Sequence, residues 1–151
     1  MNKRERTLKA KDIIKSIDTY LKGFDSIENV IGTGLAKVEG LFDYLESNCL
    51  VPDSFEPDEM KQEILRDYFE NDSELLDITQ HIEELREEVN EQIYQMSENN
   101  SRRDSWEEFY NEMEFIEDII DINENEITSI YEIKENIGIL KERIENLLCL
   151  E

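Results

Sequence analysis

The chain has 151 residues, 39 of them acidic and 16 basic, for a net charge of −23 at pH 7. That length suits one domain with a genuine core. No apolar run approaches the roughly 20 residues that cross a bilayer, and no apolar stretch follows the charged start as a secretory signal requires. Two cysteines, Cys49 and Cys149, make neither a disulfide framework nor a zinc site, so they read as small buried apolar groups in a soluble, cytoplasmic protein.

The charge is unevenly spread. Residues 1–22 carry a net +4, residues 23–52 a net −4 and residues 53–151 a net −23. Lysine is absent between positions 62 and 133. Apolar residues are plentiful and periodic, which points to packed helices rather than disorder.

In chain order, residues 7–22 place Leu8, Ile13, Ile14, Ile17, Tyr20 and Leu21 on one helical face, with lysines opposite. Gly23 ends that helix and Ser26 caps a second, to about 47, with Ile27, Val30, Ile31, Leu35, Val38, Leu41, Phe42 and Leu45 as its apolar set. Gly32, Gly34 and Gly40 weaken it by about 1 kcal/mol each against alanine, unless another helix approaches there. Residues 49–55 form a loop and an internal boundary. Pro57 suits the first position of a third helix to about 70, lined by Met60, Ile64, Leu65, Tyr68 and Phe69.

Asp72 or Ser73 caps a fourth helix to about 97, with the seam Leu75, Ile78, Ile82, Leu85, Val89, Ile93 and Met96. Ser105-Trp106-Glu107-Glu108 matches a capping box. The seam continues through Trp106, Phe109, Met113, Ile116 and Ile120, then Ile127, Ile130, Ile133, Ile137, Leu140, Ile144 and Leu147. Asn123 interrupts it. Residues 121–126 either break two helices apart or sit within one helix from 105 to 148, about 66 Å long at roughly 1.5 Å per residue.

The predicted fold is all-α: a helical bundle with a long, coiled-coil-like antiparallel hairpin after a smaller N-terminal helical subdomain. The subdomain covers 1–50 and the acidic hairpin 53–151, forming one cooperative unit.

Chemistry is sparse. One histidine, His81, excludes di-iron and zincin motifs and reads as a partly exposed helix-face residue. Gly32-Thr33-Gly34 lacks the context of a phosphate loop. Asp121, Asn123, Asn125 and Glu132 resemble the EF-hand family over 12 residues, which implies calcium at positions 1, 3, 5 and 12 of the loop. Glu126 stands where that loop needs glycine and Thr128 where it takes an aliphatic residue, so a helix or helix break is the favoured reading, with no metal or cofactor. No catalytic constellation is present, and the chain reads as a non-enzyme.

The acidic rows are the main feature. Glu84, Glu87, Glu88, Glu91 and Glu98 lie opposite the seam of the fourth helix; Glu107, Glu114, Asp118, Asp121 and Glu124 follow one another on the fifth. Like charges at i,i+4 destabilise a helix by a few tenths of a kcal/mol per pair, a cost that mixed Glu/Lys faces avoid. One carboxylate per turn on each of two helices gives a charge about every 2.7 Å, against about 1.7 Å along B-DNA. In composition and shape such a rod resembles acidic DNA-mimic inhibitors as a class. That resemblance implies a basic protein partner, a nucleic-acid-binding enzyme or effector complex such as a restriction or CRISPR system, met in the host cytoplasm if the chain is phage-encoded. It implies no direct contact with nucleic acid or membrane. The basic start, Lys3 to Lys22, is expected to dock on the chain's own acidic body or face water. The alternative is a structural, adaptor or immunity-type protein that pairs, or homodimerises, through the heptads Ile130–Leu147. Trp106, Phe109 and Tyr110 are either apolar anchors for a partner or core.

Overall fold

A computed structural model describes residues 2–114, 121–122 and 125–150. The described residues form six helices and no strand: α1 (Lys3–Lys22), α2 (Phe24–Ser47), α3 (Pro57–Phe69), α4 (Ser73–Gln95), α5 (Arg103–Glu112) and α6 (Ile130–Leu150). The all-α fold expected from the periodicity is what the chain adopts.

Each helix starts where a side chain or glycine allows it. Asn2 opens α1, four residues ahead of expectation: its Oδ1 accepts from the Glu5 amide at 2.9 Å and the Glu5 carboxylate reaches back to the Asn2 amide at 3.3 Å. Gly23 closes α1 and opens α2 directly, so Ser26 lies inside the helix rather than at its cap. Asp72 caps α4, accepting from the Leu75 amide at 3.2 Å. The Asp72 Oδ2 also accepts from the buried Tyr20 hydroxyl at 2.7 Å, tying the end of α1 to the start of α4. Burial, and then Asp72 itself, push the Tyr20 hydroxyl well above the ordinary tyrosine range.

The expected cap at Ser105 is not used. Helix α5 begins at Arg103, because Asn100 Oδ1 takes the Arg102 amide at 2.8 Å and Arg103 swings back to the Met96 carbonyl at 2.9 Å. The α6 start rests on Ser129 and Glu132: Ser129 Oγ accepts from the Glu132 amide at 3.4 Å, and the Glu132 carboxylate accepts from the Thr128 amide at 3.2 Å. Met113 follows the end of α5, and 121–122 and 125–129 are turn or irregular, so 105–148 is not one helix. Arg86, on α4, reaches the Tyr110 carbonyl at 3.2 Å, so α5, ten residues long, runs back along α4.

Helices α4 and α6 carry the two long buried seams. Both α1 and α5 pack across them, and α6 also meets α2. All six α4 seam residues from Leu75 to Ile93 are buried, as are Ile127, Ile130, Ile133, Ile137, Leu140, Ile144 and Leu147. One continuous core joins these to Ala10, Ile13, Ile17 and Tyr20 of α1, to Phe24, Ile27 and Ile31 of α2, and to Leu65 and Phe69 of α3. The α6 heptads are thus occupied by the chain's own helices. Pairing them with a second helix would require α1 and α5 to come away.

The second half of α2 is different. It meets α3 to form a thin limb, held by buried Val38, a Phe42–Phe55 stack with centroids 6.1 Å apart, and a Lys61–Glu39 ion pair at 2.7 Å. Val30 and Leu41, expected in the apolar set, are 68% and 45% exposed, and Leu8 of α1 and Met60 of α3 are exposed too. Among the described residues none covers these side chains. Gly32 and Gly40 have open space around the position of a Cβ, so no close helix approach explains them. Both cysteines, expected to be buried, are exposed: Cys49 in a left-handed conformation (φ 54°) just past α2, and Cys149 in the last turn of α6.

Candidate acidic interface

The α4 seam dictates where its carboxylates point. With Leu75, Ile78, Ile82, Leu85, Val89 and Ile93 buried, positions 84, 87 and 91 fall on the opposite side of a 3.6-residue helix, and Glu84, Glu87 and Glu91 are exposed. Glu88 lies a step round the helix and is half-buried. Glu98, in the turn after α4, is exposed. On α5 and beyond, Glu107 is half-buried and Glu114 and Asp121 are exposed. The backbone carbonyl of Asp121 accepts from the Asn125 amide and side chain, which shapes the turn before α6. Asp118 and Glu124, with Ile116, Ile120 and Asn123, lie outside the described residues.

Three of the predicted residues converge. Glu84, Glu87 and Glu114, together with Glu83, border an open depression of about 450 Å³ between α4 and the end of α5. Arg86 also lines it. Its guanidinium lies 3.9 Å from the centroid of the Tyr110 ring, so this cation seals the α4–α5 seam and offsets part of the local charge. A second depression, of about 560 Å³, is bordered by Asp104, Glu107, Glu108, Asn111 and Glu112 on the outer face of α5. Glu91, Glu98 and Asp121 border neither depression.

Sequence reasoning missed Glu83, Asp104, Glu108 and Glu112. The misplaced cap at Ser105 hid Asp104 by leaving it outside the helix. Trp106 and Phe109 are buried and Tyr110 is half-buried beneath Arg86, so these aromatics are core.

Two predicted contacts are already engaged. Lys9 of α1 reaches Glu84 at 2.7 Å, and His81 Nδ1 lies 3.4 Å from the same carboxylate. The Lys9 ammonium, and then His81, hold the Glu84 carboxyl below its ordinary value. Arg103 pairs with Glu107 at 2.9 Å. Helix α1 therefore does dock on the acidic body, through Lys9 and through Lys141 of α6, which pairs with Asp18 at 2.6 Å. Lys11, Lys15 and Lys22 face water. The docking trims the edge of the acidic face at Glu84 and leaves Glu83, Glu87 and Glu91 exposed beside it.

Among the described residues no group of three or more His, Cys, Asp or Glu side chains is placed to hold a metal ion. Glu132, the twelfth position of the calcium-loop resemblance, is exposed and its carboxylate accepts from the Thr128 amide at the start of α6. Among the same residues no helix is long and apolar enough to cross a membrane. Comparison with known proteins finds no matching family model, no matching curated protein and no matching solved structure.

Proposed function

We propose that the chain is a non-enzymatic acidic binding protein that occupies the nucleic-acid site of a basic partner. It would act in the cytoplasm, of the host if phage-encoded, as an inhibitor of an anti-restriction or anti-CRISPR kind. The observation that carries this reading is the gathering of exposed carboxylates along α4 and α5: Glu83, Glu87 and Glu114 around one depression, Asp104, Glu108 and Glu112 around another. Between 62 and 133 the sequence has no lysine, and the basic residues of that stretch that carry a fixed charge are arginines. A face merely kept soluble has no need to exclude one sign of charge, and the like-charge spacing costs helix stability. A field of this kind attracts a groove lined by Lys and Arg, speeds association and weakens with salt.

The test uses the full chain as bait in a host lysate. DNA- or RNA-processing proteins should be captured and should be released by competitor DNA or by high salt. With a captured partner in hand, the charge reversal Glu87→Lys with Glu91→Lys should weaken binding by about tenfold or more, whereas Glu39→Gln on the limb should leave it unchanged. Capture that survives both competitor DNA and molar salt would overturn the reading.

A further inference from the structure

Among the described residues Tyr94 is the most exposed large apolar side chain, at 80%. It lies in the last turn of α4, three residues after Glu91 and seven after Glu87. In a 3.6-residue helix that spacing puts all three on one face, with Tyr94 about one turn from Glu91 and two from Glu87. The seam buries Val89 and Ile93 on the other side, so the register of the helix holds the ring outward. The side chains of Glu87, Glu91 and Tyr94 make no hydrogen bond, ion pair or ring contact among the described residues.

A single apolar side chain in water is ordinary; the neighbours of this one set it apart. Tyr44 and Tyr131, the other strongly exposed tyrosines, each share a helix face with a lysine: Lys37 stands seven residues before the first and Lys134 three after the second. Helix α4 has no lysine, and Tyr94 shares its face with carboxylates. The chain already pairs such a ring with a cation. The Arg86 guanidinium lies 3.9 Å from the centroid of the Tyr110 ring, beside the depression that Glu83, Glu87 and Glu114 border. Tyr94 sets the same two groups, a tyrosine ring and carboxylates, on a face that no described residue covers.

The charge of this face selects its occupant. A second copy would set acid against acid, and an anionic lipid surface would be repelled in the same way, whereas a cationic protein segment is attracted. Between the two long cations the ring favours arginine, whose planar, weakly hydrated guanidinium stacks on an aromatic face while its N–H groups pair with carboxylates. We propose that Tyr94 anchors an arginine side chain of the partner, with Glu87 and Glu91 holding that cation or the one beside it. The proposal rests on α4 being part of the interface, as read above, and adds the side chain that this interface prefers: arginine over lysine.

The probes are end-capped tetra-arginine and tetra-lysine peptides of equal charge. The full chain, its six tyrosine rings labelled with carbon-13, is titrated with each at physiological salt, and the Tyr94 ring signal is assigned from Tyr94→Phe. That signal should shift saturably with tetra-arginine, at a dissociation constant about threefold below that for tetra-lysine. Tyr94→Ala, followed by calorimetry, should weaken arginine binding about threefold and so bring the two constants together, while the far-UV circular dichroism stays unchanged. Tyr131→Ala should keep the preference of the parent. Equal affinity for the two peptides, or a preference that survives Tyr94→Ala, overturns the proposal. So does a Tyr94 shift produced by concentrating the chain alone, which assigns the face to a second copy. None of these readings needs a cellular partner. An arginine preference carried by Tyr94, with no nucleic-acid-binding protein captured from a lysate, would sink the inhibitor reading and leave the anchor standing; capture with no such preference would do the reverse.

Discussion

Helices α2 and α6 are close in length, 24 and 21 residues, and both repeat apolar residues by threes and fours. In α6 every seam residue from Ile130 to Leu147 is buried, because α1, α5 and α2 all pack against it. In α2 the first half enters the same core, but the second half meets the short α3 and Phe55 before it, and Leu41 and Tyr44 stay in water. Periodicity names the face of a helix that prefers to be covered. The number of neighbours decides how much of that face is covered and what a residue there contributes.

The sharpest way to break the comparison is to cut the two helices alike. Leu140→Ala, at a fully buried position of α6, should cost about 2–5 kcal/mol in urea or thermal unfolding. Asp72→Ala comes next, at about 2–3 kcal/mol, because it removes the α4 cap and leaves the buried Tyr20 hydroxyl without its acceptor. Gly32→Ala and Gly40→Ala should each stabilise α2 by up to about 1 kcal/mol, since neither has a positive φ and nothing meets the added methyl. Leu41→Ala should stay within about 0.5 kcal/mol of the parent, the counterpart of the Leu140 result. An equal loss at Leu41 and Leu140 would mean that the limb is as tightly packed as the body.

The smallest effect concerns pH. Lys9 holds the Glu84 carboxyl below its ordinary value of 4.5, so the folded state favours the charged form. Its contribution is present above that ordinary value and fades as the pH falls through the lowered one. Glu84→Gln should flatten that part of an acid unfolding curve by a small amount, because the pair is exposed to solvent.

Much of this fold was readable from spacing. The α4 seam from Leu75 to Ile93 and the C-terminal 4-3-4-3 rhythm named their buried residues before any neighbour was known, because α1 and α5 cover both helices; Met96, at the end of the α4 seam, is half-buried. Leu8, Val30 and Leu41 fit the same pattern and are exposed, since a single sequence cannot say which faces lack a partner. Ser105 and Ser129 make the same point about caps. Both begin a Ser-x-x-Glu run; Ser129 uses it and Ser105 does not, because Asn100 and Arg103 start α5 two residues earlier. The acidic interface followed suit: the α4 carboxylates came from a correct seam, whereas Asp104 was missed with the α5 start. The Lys9–Glu84 pair joins residues 75 positions apart, and nothing local announces it.

The positions of the two thiols have a practical consequence. Cys49 stands at the tip of the limb and Cys149 in the body, and both sulfurs are open to water. A maleimide donor–acceptor pair attached to them would read the distance between limb and body by resonance energy transfer, without an engineered cysteine, and would register any swing of the limb when a partner engages α4 and α5.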